Sequence, residues 1–178
     1  SLRPLPDVQP SGAWKNSAPY RDGGVVTNLE PPVAGDEATL AAALKTAVHL
    51  LSQSPTGNDL LVRLHKAGYK LAFDAKTVEA RQASGLCDTA ARLIVLRPQT
   101  DINALALTIA HEAVHALQEA DSGLLPSARL RPDVMIRMAF AIEADAYAQQ
   151  VQVAFELADT TGGKQALSHD PLRLMRAR

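Results

Sequence analysis

The chain has 178 residues, of which 47% are apolar and 21% are charged, and its formal net charge is −1. This length suits one domain with a sizeable core and is short for two, and the composition excludes an intrinsically disordered chain. Because the net charge is near zero and no Lys/Arg cluster marks out a face, we expect no nucleic-acid partner.

The beginning of the chain is rich in proline. Residues 1–35 hold six of the eleven prolines, interleaved with Gly, Ser and Asn, and show no periodic apolar pattern. Such a composition predicts a flexible arm. We expect the folded domain over residues 36–160 and a polar C-terminal tail over residues 161–178.

Two shorter helices and two strands are predicted next. Apolar residues at helical spacing predict a helix over residues 37–52 and a second one over residues 58–67. Aliphatic and β-branched residues predict a strand over 92–97, and residues 69–73 are a candidate for a short strand, whereas residues 74–88 fit no single pattern. Cys87 is the only cysteine, which excludes an intrachain disulfide framework and a zinc site built from several cysteines.

Two long helices complete the predicted domain. The first begins at Thr100 or Asp101 and runs to about residue 121, and the second is capped by Asp133 and runs over residues 134–158. Together with the strands, these helices predict an α+β fold: a helix-rich single domain with a small sheet.

The first long helix contains the sequence His-Glu-Ala-Val-His at positions 111–115. Since His111 and His115 are four residues apart, their imidazoles lie on one face of the helix, one turn apart. Two neutral imidazoles at this spacing can bind one Zn²⁺. Glu112 points toward the edge of the same site, where a carboxylate can accept a proton from metal-bound water. The alternative is a packed helix with two hydrogen-bonded histidines.

A catalytic zinc usually has three protein ligands, so this motif needs a third. The only later histidine is His169, in the polar tail, and Glu143 is one of the few charges in the apolar first half of the last helix. Because a buried carboxylate needs a cation or a metal, we predict Glu143 as the third ligand. Asp145 is then either a hydrogen-bond acceptor for a ligand histidine or half of an ion pair. Gln118 is expected to be solvated.

These residues resemble the gluzincin metallopeptidases, in which the HExxH helix is followed by a helix that carries a glutamate ligand. The segments 108–118 and 142–148 are most similar to an uncharacterised bacterial family of metallopeptidase domains. The layout of residues 54–158 also resembles the ImmA/IrrE-type peptidases and the zinc-protease effectors of some pathogens. In the ImmA/IrrE pattern the glutamate precedes the Ala-Asn/Asp pair by three positions, where this chain has Ala141.

The resemblance implies a zincin-like domain with the small sheet beside the active helix, and it implies how a substrate binds. Gluzincins hold an extended peptide against an edge strand above that helix, and residues 93–96 are the candidate strand here, through added main-chain hydrogen bonds. The alternative for these residues is a core strand of a small sheet. Tyr147 lies one turn after Glu143 and is a candidate donor to the oxyanion of the reaction. The alternative for Tyr147 is a packed side chain with a bonded hydroxyl.

We therefore predict a zinc-dependent peptidase with Glu112 as the general base and a peptide or protein as its substrate. The alternative is a catalytically silent domain of the same fold that binds or senses a ligand. No apolar stretch reaches the length of a membrane span, and no signal peptide is apparent. The pattern predicts no membrane partner and indicates neither a compartment nor an oligomeric state.

Overall fold

The computed structural model describes residues 37–122 and 130–160, together with the backbone of residues 25–27. The helices are α1 (Glu37–Leu51), α2 (Pro55–Lys66), α3 (Ala75–Ala80), α4 (Ile102–Ser122) and α5 (Pro132–Thr160), and the strands are β1 (Val25–Thr27), β2 (Lys70–Phe73), β3 (Gly85–Asp88) and β4 (Leu93–Leu96). These elements form an α+β domain, which confirms the predicted fold class. The predicted tail and most of the predicted arm lie outside the described residues.

Capping residues determine where the helices begin. α2 starts three residues earlier than predicted, at Pro55, because the side chain of Ser54 accepts a hydrogen bond from the backbone N–H of Gly57 at 2.9 Å. Proline is well tolerated in the first turn of a helix, where its missing N–H has no partner to lose. The sequence Ser-Pro therefore opens this helix and does not interrupt it.

Of the two long helices, α4 also begins at a capping residue. Asp101 accepts a hydrogen bond from the backbone N–H of Ala104 at 3.0 Å and caps α4, one of the two caps that the sequence suggests. α5 begins at Pro132, so Asp133 lies inside its first turn and is not the cap that we predicted.

The strands form one mixed sheet in the order β1-β2-β4-β3. β1 pairs with β2 and β2 pairs with β4 in parallel, whereas β3 and β4 pair in antiparallel fashion. β1 falls within the segment predicted as a flexible arm, and residues 74–88, which fit no pattern, supply α3 and β3. β4 lies between two neighbours, so the prediction that residues 93–96 form an edge strand is wrong.

α4 is the central helix of the domain. It packs against α1, α2 and α5, and also against β3 and β4. Apolar side chains are buried along much of its length: Leu105, Leu107, Ile109, Val114 and Leu117. Burial of each such side chain contributes roughly 1.5–3 kcal/mol to folding. The histidine motif is therefore carried by a helix that the rest of the domain surrounds, with the small sheet beside it.

α5 is buried only in its second half. No residue from 132 to 145 is buried, and the side chains of Ile136 and Phe140 are 57% and 73% exposed. The prediction of a buried first half is therefore wrong. Since α5 has 29 residues and α4 has 21, α5 is roughly 12 Å longer at 1.5 Å per residue. Its first turns therefore have less of the hydrophobic core to pack against. Among the described helices, none is both long and apolar enough to cross a membrane.

A carboxylate of α5 binds the start of α2. Glu156 accepts hydrogen bonds from the backbone N–H and the hydroxyl of Thr56, at 2.9 and 2.7 Å, and from the hydroxyl of Ser54. Gln152 donates a further one at 2.9 Å. Partial burial alone would raise the pKa of Glu156, but these hydrogen bonds outweigh it and lower the pKa to about 2. The ionised carboxylate thus joins the two helices.

We expect Glu156→Gln to destabilise the folded chain by about 1–2 kcal/mol at neutral pH, a value reduced for solvent screening of a partly exposed group. Because the folded-state pKa is depressed, this stability is complete above the unfolded pKa of about 4.3 and is lost as the pH falls toward 2. Urea unfolding should therefore give the variant a lower free energy of unfolding than wild type at neutral pH, and the two values should become equal as the pH approaches 2. Asp159→Asn, an exposed change of the same charge, should have little effect. A difference that persists unchanged at low pH would contradict the role of the charge.

Candidate metal centre

The two histidines of the motif face each other across one turn of α4. Nε2 of His111 lies 3.1 Å from Nε2 of His115, and the two rings meet edge to face with their centroids 4.8 Å apart. Both side chains are mostly buried, at 13% and 17% exposure. The four-residue spacing thus brings two ring nitrogens to one point.

Glu143 reaches the same point from α5. Its Oε2 lies 3.6 Å from Nε2 of His111, and its Oε1 lies 3.5 Å from Nε2 of His115. One possible ligand atom from each of the three residues lies within 4.8 Å of the others. The Glu143 side chain is 46% exposed, so it borders the open side of the cluster. The structure places it where we predicted, although not as the buried carboxylate on which that prediction was based.

The donor set fits a zinc ion. Imidazole nitrogens and carboxylate oxygens bind zinc at about 2.0–2.2 Å, so neighbouring ligands of a tetrahedral ion are roughly 3.3–3.6 Å apart. The three separations in this cluster are 3.1, 3.5 and 3.6 Å. Three protein ligands leave a fourth position for water or substrate, which is the arrangement of a catalytic site.

Glu112 lies next to His111 and is buried, with 8% of its surface exposed. Burial, and after it the negative charge of Glu143, raises the pKa of Glu112 to about 7. A carboxyl group in this range both accepts and releases a proton near neutral pH. A divalent cation at the neighbouring ligands would favour the ionised form.

Strand β3 runs directly against α4 at Glu112. A Cβ atom on Gly85 would lie 2.8 Å from Cγ of Glu112 and 2.8 Å from Cγ2 of Thr108, well inside the separation of about 3.5–4.0 Å at which carbon atoms pack. The strand can pass this close because residue 85 has no side chain. The sequence pattern assigned no role to Gly85, since the contact joins two segments that are far apart in the chain.

Cys87 follows on the same strand and is partly buried against the core. Burial, and then the charge of Glu112, raises the pKa of its thiol to about 12. The group of possible metal ligands found in the described residues consists of His111, His115 and Glu143 and does not include this thiol. Cys87 therefore packs as a small apolar residue.

Two further predicted residues border the cluster on α5. The ring of Tyr147 packs against His111, with centroids 4.7 Å apart and an interplanar angle of 62°. Asp145 accepts a hydrogen bond from Nε2 of Gln118 at 2.8 Å and longer ones from Gln149. Asp145 thus reaches His115, a candidate metal ligand, through the amide of Gln118, an arrangement that the sequence did not suggest.

Gln118 contacts the site, although it was predicted to be solvated. Its Oε1 lies 3.2 Å from Nδ1 of His115, and its Nε2 donates to the carbonyl oxygen of Ile142 at 3.2 Å as well as to Asp145. The spacing could have indicated this role, because a residue three positions after His115 lies on the same face of the helix.

One protein-family model matches residues 20–168 of the chain. The family is described as "Putative metallopeptidase family (DUF6782)". The match includes helices α1 to α5 and all three residues of the cluster. No curated protein and no solved structure matches the chain.

Proposed function

The chain belongs to this putative metallopeptidase family, and from that premise we propose that it is a zinc-dependent peptidase of the gluzincin type. One observation carries the proposal: His111, His115 and Glu143 present ligand atoms within 4.8 Å of one another. Glu112, the proposed general base, is buried and adjoins His111 in the chain.

A zinc ion held by these residues would polarise a water molecule and the scissile carbonyl, and would lower the pKa of the water toward about 7. One carboxylate oxygen of Glu112 accepts a proton from the attacking water and then donates it to the nitrogen of the leaving amine. Tyr147, packed against His111, is the proposed hydrogen-bond donor to the carbonyl oxygen.

The peptide substrate is proposed to pair with β3 and not with β4. β4 already has hydrogen-bonded neighbours on both sides, whereas β3 pairs only with β4 among the described strands. Gly85 of β3 lies against the side chain of Glu112, so a peptide added at this edge would pass close to the proposed base. Main-chain pairing of this kind gives affinity, and neighbouring pockets give specificity.

Metal analysis combined with a hydrolysis assay tests the proposal. We expect about one zinc ion per purified chain, cleavage of members of a broad peptide library, loss of cleavage with a zinc chelator and recovery on adding zinc back. A protein that holds zinc but cleaves nothing in the library would instead support the silent binding domain. A protein that binds no zinc at neutral pH would refute the metal centre itself.

A further inference from the structure

Gln118 joins a proposed metal ligand to the opposite helix. Its Oε1 lies 3.2 Å from Nδ1 of His115 on its own helix. Its Nε2 lies 2.8 Å from Oδ2 of Asp145 and 3.2 Å from the carbonyl oxygen of Ile142 on α5. Since Ile142 and Asp145 flank Glu143 in the chain, the amide connects the ring of one ligand to the segment that carries another.

The contacts on α5 determine which way the Gln118 amide points. An ionised carboxylate and a backbone carbonyl can only accept hydrogen bonds, so the NH₂ group must face Asp145 and Ile142. The reverse orientation would place the amide oxygen against two acceptors and would give up both hydrogen bonds. The amide oxygen of Gln118 therefore faces His115.

An acceptor held beside Nδ1 selects the tautomer of His115. Nδ1 must carry the hydrogen in order to donate to Oε1 of Gln118, and Nε2 of the neutral ring then carries a lone pair. Nε2 lies 3.1 Å from Nε2 of His111, which must supply the hydrogen of that contact when Nε2 of His115 carries none, and 3.5 Å from Glu143, which is longer than an ordinary hydrogen bond. A neutral histidine side chain in water favours the opposite tautomer, whose Nε2 carries a hydrogen and cannot bind a metal.

We propose that Gln118, oriented by Asp145, is a positioning residue that keeps His115 in the Nδ1–H tautomer with Nε2 open for the metal. This inference rests on the proposed function, because Gln118 would prepare His115 to bind a metal. The tautomer itself is a property of the metal-free chain and can be measured there. Gln149 also donates to Asp145, at 3.3 and 3.4 Å, from one turn along α5, so the matched comparison is Gln53, an exposed glutamine between α1 and α2.

Nitrogen NMR of the full chain, labelled at histidine and free of metal, reads the tautomer directly. At about pH 8, above the usual histidine pKa of about 6.5, we expect wild-type His115 to carry its hydrogen on Nδ1. Gln118→Met removes the acceptor at similar volume and should move the ring toward the Nε2–H form. Zinc affinity, measured by competition with a chelator, should fall by about 10–100-fold. Gln53→Met should change neither the tautomer nor the affinity.

A conservative pair of changes separates positioning from packing. In the double variant Gln118→Glu with Asp145→Asn, the new carboxylate can accept from Nδ1 of His115 and the new amide can donate to that carboxylate, whereas the carbonyl oxygen of Ile142 loses its donor. We expect this variant to recover the Nδ1–H tautomer and part of the zinc affinity that Gln118→Met loses. An unchanged tautomer in Gln118→Met would overturn the proposal. If wild type binds no zinc, the proposed function fails, while the spectra still decide the role of Gln118.

Discussion

Replacing Glu112 with glutamine is expected to abolish peptide hydrolysis while zinc stays bound. The amide has nearly the shape of the carboxylate and fits the same buried position, but it cannot accept a proton from water. Loss of a general base commonly costs 10²–10⁴-fold in rate, so we expect kcat to fall by about a thousandfold. Steady-state kinetics on a cleaved peptide and metal analysis of the same preparation measure the two outcomes separately.

Glu119→Gln is the matched control for this variant. It makes the same change seven residues further along α4, at a residue that is not in the cluster of possible ligands, and it should leave kcat and zinc content near wild type.

In the metal-free chain the pKa of Glu112 is raised to about 7. Protonated Glu112 therefore stabilises the folded chain fully below a pH of about 4.3, and this contribution is lost as the pH rises through 7. Glu112→Gln should therefore unfold no more easily than wild type above neutral pH. Full activity in a zinc-loaded Glu112→Gln protein would rule out the proposed mechanism.

The second large effect is expected at Glu143. Glu143→Gln keeps the size of the side chain but replaces an anionic ligand with a neutral amide, which holds a divalent cation less well. We expect zinc affinity to fall by about a hundredfold, equivalent to about 2.8 kcal/mol. Hydrolysis should then be lost at zinc concentrations that saturate wild type and should return in part with excess zinc.

Competition with a chelator gives the zinc affinity of the Glu143 variant. Asp133→Asn, a charge-removing change in the exposed first turn of the same helix, is the control and should bind zinc as wild type does. A return of activity with excess zinc would show that the variant is folded. Wild-type affinity in Glu143→Gln would mean that the third ligand lies elsewhere.

The helices and the histidine pair could be predicted from the sequence because the information is local. His111 and His115 meet through the geometry of one helix, and the apolar period around them requires that helix to be buried. The prediction of Glu143 as the third residue of the cluster was less direct, because only the tertiary structure decides which helix lies opposite the two histidines. It lies at the predicted place on a helix whose first half is far more exposed than the apolar pattern indicated.

The order of the strands could not be predicted in the same way. Residues 93–96 are apolar and β-branched, which is typical of an edge strand facing a helix and equally of a central strand. The neighbour that makes β4 central is β3, and its residues 85–88 carry no alternating pattern. Gly85 was missed for a related reason, because it acts through a contact with another part of the chain. For Gln118, the contact with His115 is local and its spacing could have indicated it, whereas the contacts with α5 could not be predicted in this way.

The exposed first half of α5 has a consequence for how fast a metal would exchange. Helix ends with few core contacts open locally at a lower free-energy cost than the interior of a domain. Unwinding of the first three turns of α5, with loss of the hydrogen bonds from Gln118 to Ile142 and Asp145, would carry Glu143 away, while His111 and His115 remain on the surrounded helix α4. Release of the ion would then follow the fraying of this helix end and would not require global unfolding, so the domain could exchange its metal while still folded.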